Sequence, residues 1–220
     1  QYIVIVAGGS GTRMGSSIPK QFLELKGLPI LMHTIFKMKE AMPNAEVVLA
    51  LPEQQMEQWM RLVDKHQFKI QCHLVAGGES RFHSVQNALQ KVSSNSIVAI
   101  HDGVRPLVQV KVVQDCLQLA RKKGNCIPTL EIQESIRKVS TERNERVDRE
   151  SYKIVQTPQC FQSDLILKAY QQEFSTLFTD DASVVEAMGN TIFLCQGNKE
   201  NIKITTPEDM ILAKHYLQSN

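Results

Sequence analysis

Residues 2–21 read "YIVIVAGGSGTRMGSSIPKQ", an apolar run followed at once by a turn that packs four glycines, one arginine, one proline and one lysine into fifteen positions. A glycine-rich turn at the carboxyl end of a first strand is where open α/β sheets bind ligands. Its backbone amides can converge on an oxyanion with no side chain in the way. Two common phosphate loops do not fit. A Walker A loop needs its lysine directly after a glycine, and here Lys20 follows Pro19. A dinucleotide fingerprint needs a third glycine where this chain has Met14, and Pro19 interrupts the helix that should follow. The loop therefore carries its own cations: Arg13 and Lys20 can both reach a polyphosphate held by the amides of residues 8 to 11. On the loop alone, a glycine turn with two solvated cations fits as well.

The rest of the chain continues the same alternation. Short β-branched runs, "AEVVLALP", "QCHLV", "SIVAIHD" and "NCIPTLEI", recur between segments with helical spacing, "PILMHTIFKM", "QQMEQWMRLVDKH", "RFHSVQNALQKV" and "KVVQDCLQLARKK". This pattern predicts an α/β fold with a mostly parallel sheet flanked by helices. Met32, Met38, Trp59 and Met60 fall on the apolar stripes and are expected in the core. Residues 131–156, "EIQESIRKVSTERNERVDRESYKIVQ", alternate on both sides of a polar centre, which predicts a long hairpin or arm turning near "TERNE". Pattern alone also fits a solvated surface hairpin. Helices follow in "QSDLILKAYQQ", from "TDDASVVEAMG" and from "PEDMILAKHYLQ", with strands at "TIFLC" and "NIKIT"; "TDD" and "TPED" read as threonine-capped helix starts with acids in the first turn.

Composition sets limits. The 220 residues fit one domain, 1–220, with 131–156 as an arm subregion; 42% apolar and 22% charged is ordinary globular usage. A formal charge of +2 gives no reason to expect nucleic-acid or membrane partners. Five cysteines, at 72, 116, 126, 160 and 195, show no Cys-x-x-Cys pair of the kind that builds zinc or redox sites, and no run reaches a membrane span. The expectation is a cytoplasmic, soluble protein, although the chain begins without methionine and almost inside a strand.

Two further stretches carry chemistry. "HDGVRP", 101–106, puts Asp102 and Arg105 at another carboxyl strand end, where an aspartate can hold a divalent metal that bridges phosphates. His101 has no second histidine at metal spacing and is expected to be a structural hydrogen-bonder. "GGESRFHSV", 77–85, offers amides and hydroxyls that could read a base edge, and a capped βα turn explains it equally.

Taken together, these blocks resemble the 2-C-methyl-D-erythritol 4-phosphate cytidylyltransferase family of the non-mevalonate isoprenoid pathway. "AGGSGTRMGSSIPKQFLELKGLPIL", "GGESRFHSVQNAL", "HDGVRPLV", "VDRESYKIVQTPQCF", "TDDASVVEAMG" and "NIKITTPEDM" follow the family's order across nearly the whole chain. The resemblance implies a Rossmann-like nucleotidyltransferase fold, a homodimer joined by a protruding β arm, Mg²⁺ dependence, and transfer of a cytidylyl group from CTP to a sugar-alcohol phosphate with release of pyrophosphate. By matched position it implies that Arg13 and Lys20 stabilise the reacting α-phosphate, with Lys203 assisting near the sugar phosphate or nucleotide. Ala7, Gly8, Gly9 and Gly11 would line the triphosphate loop, and Gly78, Glu79 and Ser84 would read cytosine. Asp102 would serve metal and substrate, with Arg105 beside it in the sugar-phosphate pocket; Thr157 and Thr179 would lie nearby, and Ser135 and Arg149 on the arm would reach the other subunit's substrate.

The implied reaction needs no general base, because a phosphate monoester is already an anion and attacks directly once two repelling anions are brought in line. Three positions depart from the family's usual pattern: Ala7-Gly8-Gly9 stands where Ala-Ala-Gly is common, Gly103-Val104 where two alanines are common, and Ser135 where an arm threonine is common. A ribitol 5-phosphate cytidylyltransferase resembles the same blocks and is the alternative substrate reading; a non-catalytic nucleotide-binding module is the other alternative. "TDDASVVE" favours methylerythritol phosphate and Val104 leans toward ribitol phosphate.

Overall fold

The computed structural model describes residues 1–8 and 18–218. The chain runs through β1 (Tyr2–Val6), the ribbon β2 (Glu24–Leu25) and β3 (Leu28–Pro29), α1 (Ile30–Ala41), β4 (Glu46–Leu51), α2 (Glu53–Lys65), β5 (Cys72–Ala76), α3 (Arg81–Leu89), β6 (Ile97–Asp102), α4 (Val110–Lys123) and β7 (Asn125–Glu131). The arm adds β8 (Arg137–Val139), β9 (Asn144–Arg146) and β10 (Lys153–Val155). The chain returns through β11 (Gln159–Gln162), α5 (Ser163–Ala169), α6 (Asp181–Glu186), β12 (Leu194–Gln196) and α7 (Pro207–Tyr216).

β1 lies at the centre of an eight-stranded sheet, parallel to β4 on one side and β6 on the other; β5 continues beyond β4. β11 runs antiparallel between β6 and β7, which makes the sheet mixed but mostly parallel. The opening run is apolar at every position because both faces are covered. Ile3, Ile5 and Ala7 pack under α1, α2 and α4, while Tyr2, Val4 and Val6 pack under α3, α5 and α6. A smaller cluster, Leu25, Ile30, Val104, Leu107, Ile204 and Ala213, seats α7 beside the carboxyl ends of β1 and β6.

The expected fold class is borne out, with local corrections. Met32, Met38 and Trp59 are buried, but Met60 is 48% exposed because it follows Trp59 around α2 onto the solvent face. "NIKIT" forms no strand: residues 201–205 run as an irregular strap held by single bonds such as Ile204 N–H to Val104 O at 3.0 Å. The expected "TIFLC" strand is shifted to Leu194–Gln196, where it pairs with β7. At "TDD" the cap is Asp180, not Thr179; its carboxylate accepts from Ser183 N–H and the Ser183 hydroxyl completes the capping box. Thr206 does cap α7, with Pro207 at the first helical position. The hairpin turns at 140–143, where Ser140 N–H donates to Arg143 O at 2.8 Å, within a residue of the expected turn.

Candidate active site

A cleft of about 250 Å³ opens at the carboxyl ends of β1 and β6. It gathers Ala7 and Gly8 from the first loop, Lys20 from the turn after Pro19, Gly78, Glu79 and Ser84 from the second glycine segment, Asp102 from β6 and Lys203 from the strap. Arg13, Gly9 and Gly11 lie outside the described residues.

Each wall has a local cause. The 3₁₀ turn Lys20–Phe22 buries Phe22 against Trp59 and sets Gln21 so that its amide nitrogen donates to Ala7 O at 2.7 Å, which holds the end of β1. Gly78 must be glycine, because a Cβ there would sit 2.3 Å from His83 Cβ and 3.0 Å from the His83 carbonyl carbon. That close approach lets Gly78 N–H donate to Ser84 Oγ at 3.0 Å, while the same hydroxyl donates to Ser80 O at 2.9 Å. Ser84 therefore shapes the loop, leaving Gly78 and Glu79 exposed at the cleft.

Asp102 is the electrostatic centre. Its carboxylate meets Arg105 Nε at 3.1 Å, Lys203 Nζ at 3.1 Å and Arg81 Nε at 3.6 Å. Burial alone would raise its pKa, but Arg81, Lys203 and Arg105 outweigh burial and hold the carboxyl well below the usual carboxylate range. Behind it a hydrogen-bonded chain fixes the backbone. Asp102 N–H donates to Thr157 Oγ1 at 3.1 Å, the Thr157 hydroxyl meets His101 Nδ1 at 2.8 Å, and His101 Nε2 meets Arg105 O at 3.0 Å. Burial pushes His101 down to about 4, so it is neutral and Nε2–H is the donor to Arg105 O. His101 is the structural hydrogen-bonder the sequence suggested. Thr157 lies behind Asp102, its hydroxyl committed to this chain of bonds. Arg105 is also fixed by Nη1 donating to Asn201 O at 2.8 Å, which ties it to the strap carrying Lys203.

Arg81 and Asp181 are the residues sequence reasoning missed. The Arg81 guanidinium grips fully buried Asp181 with two bonds of 2.9 and 2.6 Å, and the Tyr170 hydroxyl donates to the same carboxylate at 2.6 Å. Arg81 was legible only as the residue after a helix cap, and Asp181 only as an acid in a first turn; their pairing spans a hundred positions. Thr179 is exposed, one residue before the α6 cap. Ser135 and Arg149 line a separate cavity of about 640 Å³ under the arm, with Arg149 donating to Gln133 O, and do not join the cleft. No helix among the described residues is long and apolar enough to cross a membrane.

Comparison with known proteins agrees with this geometry. The model of the family described as IspD, 2-C-methyl-D-erythritol 4-phosphate cytidylyltransferase, matches residues 2–219. A protein of that name from Bacteroides thetaiotaomicron is 48% identical over 218 residues, covering 99% of both chains. One from Clostridium perfringens is 38% identical, covering 98% of this chain and 97% of the other. Among solved structures, 4-diphosphocytidyl-2C-methyl-D-erythritol synthase from Anaerococcus prevotii superposes with a TM-score of 0.84 at 26% identity, covering 99% of this chain and 95% of that one. The Thermus thermophilus cytidylyltransferase gives a TM-score of 0.76 at 28% identity over 98% of both chains. With the family model matched from the second residue to the last but one, around a cleft of cations at the carboxyl strand ends, this chain belongs to the 2-C-methyl-D-erythritol 4-phosphate cytidylyltransferase family.

Proposed function

We propose that this cleft transfers the cytidylyl group of CTP to 2-C-methyl-D-erythritol 4-phosphate, forming 4-diphosphocytidyl-2-C-methyl-D-erythritol and pyrophosphate. The observation that carries this reading is the match of the whole chain to the family. The cleft supports it: Lys20, Lys203 and Arg81 line one small volume with the glycine turn, a field suited to a polyphosphate.

The substrate phosphate attacks the α-phosphorus of CTP in line, and pyrophosphate departs. No proton need leave the nucleophile, so the residues present act by charge and position. Lys20 and Lys203 offset the repulsion between the two anions, and Arg13, outside the described residues, joins them in this proposal. Gly78 and Glu79 meet the base at the second loop. Asp102 stays ionised beside three cations and serves as an anchor, not an acid. One Mg²⁺ fits this donor set: Asp102 Oδ1 meets Arg81 Nε at 3.6 Å, longer than a hydrogen bond, and Mg²⁺ commonly takes one or two carboxylates with phosphate oxygens and waters. When bound there, the ion would supply positive charge against the charge on the phosphates.

The arm belongs to a second copy's site in this reading. Val139, Tyr152, Ile154 and Val155 are exposed on it, an apolar surface suited to a homodimer, and Ser135 and Arg149 would complete the partner's substrate pocket. Pyrophosphate release with CTP and each of two sugar phosphates tests the substrate. Methylerythritol phosphate is expected to give the higher kcat/KM; a preference for ribitol 5-phosphate would overturn the assignment, and no release with either would overturn the enzyme itself.

A further inference from the structure

Three cysteines that the sequence scatters meet inside the fold. Cys116 comes from α4, Cys126 from β7 and Cys195 from β12, and their Sγ atoms all lie within 4.8 Å of one another. The topology explains the meeting. Cys195 pairs with Pro128 across the parallel β7–β12 ladder, and residues 126 and 128 point to one face of β7. α4 covers that face and brings in Cys116, whose thiol donates to Cys126 O at 3.0 Å. Cys116 and Cys126 are buried, while Cys195 is half-buried.

Packing alone accounts for a buried cysteine, since the thiol behaves as a small apolar group. Convergence of three sulfurs is a stronger observation. With zinc–sulfur bonds of about 2.3 Å, neighbouring sulfurs in a zinc site sit about 3.8 Å apart, so these three need to close by no more than about an ångström. Thiolates select soft cations over the hard cations that a phosphate site uses.

We propose that Cys116, Cys126 and Cys195 form a thiolate site for a soft divalent cation of the zinc type, separate from the catalytic cleft. Each thiol gives up its proton and donates a sulfur electron pair to the metal, so three protons are released per ion and no oxidant or reductant is involved. A zinc-type ion takes a fourth ligand as well, a role that water can fill. The site lies under the active-site scaffold. Cys116 Sγ also contacts Pro158 O at 3.6 Å, beside Thr157, and Cys195 leads within a few residues to the strap carrying Lys203.

The test uses the full chain, stripped with chelator and then titrated with Co²⁺ and Zn²⁺. One equivalent of Co²⁺ should produce sulfur-to-cobalt charge-transfer absorption, which Cys195→Ser loses and Cys72→Ser keeps. A second measurement needs no variant: Zn²⁺ should slow alkylation of Cys195 by iodoacetamide about tenfold or more, read by mass spectrometry, and leave Cys72 unchanged. Absence of the cobalt band, its survival in Cys195→Ser, or alkylation of Cys195 at the same rate with and without Zn²⁺ would overturn the proposal.

Discussion

Gly103 and His101 flank Asp102, and each shows how a neighbour sets the carboxylate's place. A Cβ at 103 would lie 2.8 Å from Ala7 Cβ, 3.1 Å from Leu31 Cδ1 and 3.3 Å from Ile5 Cγ2. The methyl of Ala7, fixed at the end of β1, occupies the space that a side chain at 103 would take. Gly103→Ala should cost about 1–3 kcal/mol in denaturant unfolding and lower kcat at least about tenfold, because relief must move either Ala7 or Asp102. Unchanged stability would mean the two strand ends yield freely. His101 gives a pH dependence. Its pKa is lowered by burial to about 4 from an ordinary value near 6.5, so across that window the unfolded chain binds the proton that the fold refuses. Stability should therefore fall as pH drops from about 6.5 to about 4, by up to about 3 kcal/mol. His33, also lowered by burial, adds to the same slope, so the check is the difference between the parent and His101→Asn at each pH.

Between elements, the buried Arg81–Asp181 pair joins the start of α3 to the start of α6, and a carboxylate with no exposed surface has no water to replace a lost partner. Asp181→Asn should cost about 2–4 kcal/mol and release Arg81 toward Asp102, so kcat/KM falls further than stability alone explains. Asp115→Asn is the control. Its partner Lys111 is 80% exposed, and loss of that pair should change stability by no more than about 0.5 kcal/mol. This contrast also marks what the sequence could convey. Alternating apolar runs and helical stripes disclosed the layers, since burial on two faces writes itself into consecutive residues, as in Tyr2–Val6. Glycines and charges at strand ends pointed to Asp102, Lys20 and Gly78, which the fold brings to one cleft. The strap at 201–205 read as a strand because Ile202 and Ile204 alternate, yet only Ile204 is buried and its backbone makes one ladder-like bond. Arg81 with Asp181, and Cys116 with Cys126 and Cys195, depend on tertiary meeting and leave no local trace.

At the scale of the whole molecule, the arm is the unfinished part of the single chain. Among the described residues β8 and β9 pair only with each other, Val139 is 74% exposed, and the cavity holding Ser135 and Arg149 is separate from the cleft holding Lys20, Asp102 and Lys203. If Arg149 serves its own chain's cleft, then Arg149→Ala and Lys203→Ala destroy sites independently, and mixing the two inactive proteins restores nothing. If the arm crosses to a second copy, a mixed dimer has one site with both defects and one with neither. Random exchange makes about half of the dimers mixed, so about a quarter of all sites should regain full activity. The measurement is pyrophosphate release after the variants are unfolded together and refolded at equal concentration, beside each variant refolded alone. Recovery near a quarter of the parent rate would place Arg149 in its partner's pocket. Recovery at the level of the separate variants would return the arm to the solvated hairpin that its charge pattern alone suggested.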